Sequence, residues 1–137
     1  MKISTKVEYA CRVLAELARL HGTANLVQIE HLAKVEKVPA NFLAQILSEL
    51  RNAQLITSRR GIQGGYALAR PPEQISLYDI MTAIDGDVLD LSGNHEGRSG
   101  RRMREVWSEV RESVGETLKG YTLDQLRSKA PEEMYYI

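Results

Sequence analysis

The sequence predicts a mainly α fold with a small β-hairpin wing: a winged helix-turn-helix joined to a long C-terminal dimerisation helix. Three observations carry this. Over residues 39–52, Phe42, Ile46 and Leu50 recur at helical spacing with Leu43 and Leu47 beside them; the opposite face is Asn41, Ala44, Gln45, Ser48 and Asn52. Directly afterwards the period changes. Residues 55–60 read as a strand, 61–65 as a glycine turn and 66–69 as a second strand, which makes a hairpin with Arg59 and Arg60 at its tip. Over residues 101–119 the helical period returns, with Met103, Trp107, Val110, Val114 and Leu118 in one stripe and Val106 beside them.

The remaining elements follow in order. Thr5 and Glu8 have capping-box spacing, so Thr5 is the expected N-cap of the first helix. Val7, Ala10, Leu14, Leu17 and Leu20 form its stripe, flanked by Val13 and Ala18, and Gly22 supplies the left-handed position that ends it. Cys11 within it reads as a small packed residue, the alternative being a redox-sensing thiol. A second helix spans about 28–36, with Ile29, Leu32 and Ala33 inward and no Ser or Thr to cap it. His31, on its outer face, reads as a solvated residue rather than a ligand. Lys37-Val38-Pro39 is a short joint, and Pro39 suits the first turn of the next helix; two short helices so joined make a helix-turn-helix. Beyond the hairpin Pro71-Pro72 breaks the chain. Ser76 then caps a helix with Leu77, Ile80, Met81 and Ile84 on its apolar face, and Gly86 closes it. Residues 86–100 form a polar, glycine-bearing loop, expected to be flexible. Thr122 and Gln125 have capping-box spacing for a short last helix to about Lys129, ended by Pro131.

This organisation divides the chain into a reading head (1–85), a loop (86–100) and a helical arm (101–137). The arm's stripe has little left to pack on within its own domain, so both a second copy and the first helix of the same chain are its expected cover, with burial between copies dominant. A hydrophobic fraction of 43% suffices for a core. No stretch approaches the roughly 18 apolar residues of a membrane span. The start, MKISTKVEYA, lacks the apolar segment and cleavage site of a signal peptide, and a single cysteine rules out an internal disulfide. The expectation is a cytoplasmic protein that does not enter membranes. The net charge of zero hides an asymmetry: residues 1–70 hold 10 Lys and Arg against 5 Glu, and residues 71–137 hold 8 against 13 acids. The first half is thus the side suited to a polyanion. The helix over 39–52 suits a major groove, and the basic tip suits phosphates or a minor groove.

Several runs resemble the Rrf-two family of bacterial transcription regulators, over nearly the whole chain. They are Met1-Lys2-Ile3-Ser4-Thr5-Lys6 with Tyr9-Ala10, Phe42-Leu43-Ala44-Gln45-Ile46-Leu47, Leu50-Arg51-Asn52-Ala53 and, most specifically, Ser58-Arg59-Arg60-Gly61-Ile62-Gln63-Gly64-Gly65-Tyr66-Ala67-Leu68. The resemblance implies a homodimeric repressor with paired winged helices and crossed long helices, reading a palindromic operator on double-stranded DNA. It implies that Asn41, Gln45 and Ser48 face base edges, that Arg60 enters the minor groove with Arg59 and Gln63 beside it on the wing, and that Gln28 and Arg51 hold phosphates. Met103, Trp107, Val110, Val114 and Leu118 would form the dimer seam. Several relatives carry Glu where this chain has Ala44. A carboxylate can accept from a cytosine amino group, whereas alanine offers apolar contact only, for example to a thymine methyl, so the resemblance carries over the docking but not the operator sequence.

A second departure concerns the loop. Cluster-binding members carry three cysteines before the dimerisation helix, and residues 85–100 contain none. His95, with Asp85, Asp87, Asp90 and Glu96, is a poor substitute for thiolates. The expectation is therefore no iron–sulfur cluster, no other cofactor and no metal. The C-terminal half, with Val106-Trp107, Val110-Arg111, Thr122-Leu123, Leu126 and the ending Met134-Tyr135-Tyr136-Ile137, resembles the cluster-free cysteine-metabolism repressor branch. There, signalling runs through a cysteine-synthase-type enzyme or small molecules. Hence a second reading stays open: a regulatory interaction module that mainly senses a metabolic enzyme or small molecule. An enzyme is the third. It lacks support, for there is no nucleophile–base pair, Walker sequence or zinc spacing.

Overall fold

The computed structural model describes residues 2–23 and 25–126. The first helix, α1 (Thr5–Arg19), is capped one residue earlier than the sequence predicts. Ser4, not Thr5, has the extended cap conformation, and its hydroxyl accepts from the Val7 N–H at 3.1 Å. Adjacent Ser and Thr are both competent caps, and with Ser4 in that role Glu8 is free to pair with Arg12 at 3.1 Å. The buried face of α1 is Val7, Ala10, Val13, Leu14, Leu17 and Ala18, with Glu16 among them; Gly22, at φ 90°, takes the left-handed turn as expected.

Helices α2 (Ile29–Glu36) and α3 (Ala40–Asn52) follow. Gln28 caps α2 without a side-chain bond, and Lys37 adopts a left-handed conformation (φ 57°) that turns the chain into α3. Pro39 is the N-cap of α3 rather than a residue of its first turn. Leu43, Ile46, Leu47 and Leu50 are buried as predicted. Phe42 is not: it is 44% exposed, resting edge-on against Tyr9 with ring centroids 6.1 Å apart. A five-residue apolar face is wider than the stripe that α1 covers, and Phe42 lies at its margin.

Gln54 (φ 64°) turns the chain from α3 into the hairpin, β1 (Ile56–Arg59) and β2 (Gly65–Leu68). The strands are antiparallel, with Ile56 opposite Leu68 and Arg59 opposite Gly65. A 3-10 turn (Pro72–Gln74) leads to α4 (Leu77–Asp85), which has a complete capping box between Ser76 and Asp79. The long helix α5 (Gly100–Lys119) lies along α4, where Gly115 is buried and a Cβ on it would come within 3.6 Å of the Tyr78 ring. The last helix, α6 (Leu123–Leu126), returns to the head: Leu123 is fully buried, its N–H donates to the Ile75 carbonyl at 2.9 Å, and the Leu77 N–H donates to that of Tyr121. The expected extension to Lys129 and the ending at Met134–Ile137 lie outside the described residues. The core thus sits between α1, α3, α4 and α6, with α2 and the hairpin attached to one side.

The Glu16 carboxylate is 2% exposed yet satisfied. Arg19 grips it with two bonds of 2.7 and 2.9 Å, and His31 of α2 meets it at 2.6 Å. His31 is 42% exposed, as the sequence suggests, but its ring also ties α2 to α1. The Arg19 bonds hold the Glu16 carboxyl below its ordinary value, and the His31 bond acts in the same sense, against a burial effect that would raise it.

Candidate nucleic-acid interface

On α3, Asn41, Gln45, Ser48 and Asn52 stand at spacings of four, three and four, so they form one stripe on the face opposite the buried leucines. All four are exposed, as is Ala44 beside them. Among the described residues nothing covers this polar, short-chained stripe.

The wing is fixed against this helix. Arg51 donates to the Ser58 hydroxyl at 3.3 Å, joining α3 to β1. Val27 and Tyr66 exchange backbone bonds of 2.9 and 2.7 Å, tying β2 to the segment before α2. Two glycines make this close approach possible. A Cβ on Gly64 would overlap the Arg59 carbonyl, and one on Gly65, at φ 145°, would come within 2.6 Å of the Val27 carbonyl oxygen. At the tip, the Gly64 N–H donates to the Gly61 carbonyl at 3.0 Å, and Gln28 Nε2 donates to that of Ile62 at 3.1 Å.

These contacts bring Gln28, Arg51, Arg59 and Arg60 around one concavity of about 760 Å³ between the start of α2 and the wing. Gln28 therefore spends an amide hydrogen on the wing as well as facing outward. Gln63 is exposed at the turn but does not line the concavity, and Asn41, Gln45 and Ser48 lie apart from it on the outer face of α3. Arg59 and Arg60 are exposed, with no acidic partner within ion-pair distance among the described residues. Glu30 and Ser58 share the concavity and were not foreseen; their placement depends on how the wing folds back on α2. An unpaired guanidinium pair beside a polar helix face is suited to phosphates and base edges.

The arm's stripe divides into two parts. Val114 and Leu118 are half-buried against the head, whereas Met103, Trp107 and Val110 are 45%, 46% and 37% exposed. Among the described residues no helix is long and apolar enough to cross a membrane.

A family model described as Rrf2, iron-dependent transcriptional regulator, matches residues 3–129. The chain is 34% identical to the HTH-type transcriptional regulator CymR of Bacillus subtilis, over the whole of both chains. It is 35% identical to the regulator IscR of Cereibacter sphaeroides over 83% of this chain and 76% of that one. The solved structure of CymR, described as the global cysteine regulator of B. subtilis, matches with a TM-score of 0.78 at 33% identity, covering 92% of this chain and 95% of that one. The structure of T. potens IscR matches with a TM-score of 0.74 at 31% identity, covering 99% and 97%.

The family description mentions iron, so the fit of this chain's donors matters. The loop 86–99 holds no cysteine. Its one imidazole, His95 Nε2, lies 2.8 Å from Arg104 Nη1 and 2.9 Å from the Leu91 carbonyl oxygen, while Arg104 also donates to that carbonyl. A guanidinium against the only imidazole opposes a metal cation there. Among the described residues no three His, Cys, Asp or Glu come together as a ligand set. These residues do not fit an iron or iron–sulfur centre. Sequence, fold and relatives agree on the rest: the chain belongs to the Rrf2 family and is a DNA-binding transcription regulator of the helix-turn-helix type.

Proposed function

We propose that the protein acts as a cofactor-free homodimeric repressor, reading a palindromic operator with α3 in the major groove and the wing in the minor groove. In this reading Asn41, Gln45 and Ser48 meet base edges. Arg59, Arg60 and Gln63 meet the minor groove and its walls, and Gln28 and Arg51 hold phosphates. Met103, Trp107 and Val110 form the seam with a second copy, and Val114 and Leu118, half-buried against the head, border it. The head (1–85), the loop and the arm (101–137) then divide the work of reading and pairing. The protein works in the cytoplasm, catalyses no reaction, and takes its signal through a protein partner such as a cysteine-synthase-type enzyme.

One observation carries the DNA-contact part most directly: the polar stripe of α3 and the arginines of the wing are both uncovered on a head whose other side is packed. Folding alone gives no reason for two adjacent exposed arginines at a tightly braced turn.

The test is equilibrium binding to duplex DNA across a salt series. Wild-type affinity should fall steeply with salt, by about one log–log unit per phosphate contact. Arg60→Ala should bind about ten-fold more weakly with a slope lower by about one. Binding by Arg60→Ala as tight as wild type would remove the wing from the interface. Salt-independent binding by wild type would favour the module that senses an enzyme rather than DNA.

A further inference from the structure

Ile62 is 96% exposed, whereas the other exposed large hydrophobic residues among the described ones lie between 37% and 52%. A lone surface isoleucine usually needs no explanation. What sets this one apart is the bracing beneath it. Gln28, from the start of α2, donates to its carbonyl oxygen, and the Gly61–Gly64 backbone bond closes the turn around it. Glycines 64 and 65 leave no room for side chains that would lift the turn off its neighbours. The backbone of Ile62 is therefore held firmly while its side chain is left bare. Arg59, Arg60 and Gln63, all exposed, surround it. An apolar group fixed at the point of a basic hairpin is positioned for something the hairpin enters.

We infer that Ile62 is a sequence-discriminating residue of the wing, lodging against the minor-groove floor and rejecting G·C pairs there. This rests on the DNA-binding reading above. The chemistry is specific to that groove. A·T and T·A pairs present only acceptors on the floor, whereas G·C adds the guanine N2 amino group. An isoleucine side chain cannot accept from that group. Covering it strips its water and leaves a donor unmade, which is a penalty on the wrong sequence rather than a gain on the right one. The arginines supply attraction, largely indifferent to sequence, and Ile62 supplies the refusal.

The test uses duplexes that the wild-type protein enriches from a random pool. Each A·T pair of an enriched site is replaced in turn by G·C and by inosine·C, which keeps the major-groove edge of G·C but lacks the minor-groove amino group. At one or two positions per half-site, wild type should bind A·T and inosine·C alike and G·C about ten-fold more weakly. Ile62→Ala should shrink that difference to about two-fold. Ile62→Asn, whose amide oxygen can accept from the amino group, should shrink it as well. Both variants should keep the wild-type salt slope and melting temperature, since Ile62 is 96% exposed. If Ile62→Ala keeps the full discrimination, or if inosine·C rescues no position, the inference is overturned while DNA binding stands. If wild type enriches no duplex at all, both readings fail together.

Discussion

At the scale of single residues, the chemistry of Cys11 is decided by its surroundings. It lies half-buried in α1, and burial first, then the Glu8 carboxylate, push its thiol up to about 11. The thiolate is the reactive form, so at neutral pH almost none is present. Alkylation of the native protein at pH 7.5 should run on the order of a hundred-fold slower than that of free cysteine. A rate matching free cysteine would restore the redox-sensing thiol. The packed reading of Cys11 follows from its place on the helix. The pairing of His31 with Glu16 does not, because it requires knowing that α2 crosses α1 at that level.

At the scale of elements, the placement of α2 depends on a small charged cluster. Glu16 accepts from Arg19 and His31, while Arg12 reaches the Glu36 carbonyl at 3.4 Å at the end of α2. Glu16 has a depressed folded value, so its contribution to stability is full above the ordinary 4.5 and is lost as pH falls through the lower folded value. Glu36 is opposite in sign: burial and then the nearby Glu16 carboxylate raise it, so its ionisation costs stability as pH rises. Glu16→Gln should therefore destabilise by about 2 kcal/mol at pH 7, discounted for the exposed partners, and by less at pH 4. Glu36→Gln should stabilise at pH 7. Urea unfolding at the two pH values checks both signs. Periodicity alone revealed α1, α3, the hairpin and α5, each nearly to its ends, because their faces are strongly segregated. It missed the cap at Ser4, the exposure of Phe42 and the burial of Glu16. Each of those is decided by a neighbouring element rather than by local pattern. In the candidate interface, the arginines and the α3 stripe were legible as exposed polar positions. The bracing of Ile62 by Gln28 was not, since 34 residues separate them in sequence.

At the scale of the whole molecule, α5 has more apolar surface than the described residues cover. Val114 and Leu118 settle against the head, and Met103, Trp107 and Val110 continue the same stripe uncovered. A second copy of this helix is a self-complementary cover. Wild type should run as a dimer on sizing and Trp107→Asp as a monomer or aggregate, because a carboxylate in an apolar seam is costly to bury. A folded dimer from this variant would move the seam elsewhere. In the proposed dimer, pairing through α5 would also set how the two heads are spaced, and so would link the arm to what the heads can read.

That link is tested most directly by sequencing duplexes retained from a random pool. Two identical heads held by one two-fold seam should enrich an inverted repeat, with half-sites about one helical turn apart or a multiple of it. A single asymmetric motif, or no motif, would contradict the paired reading of DNA.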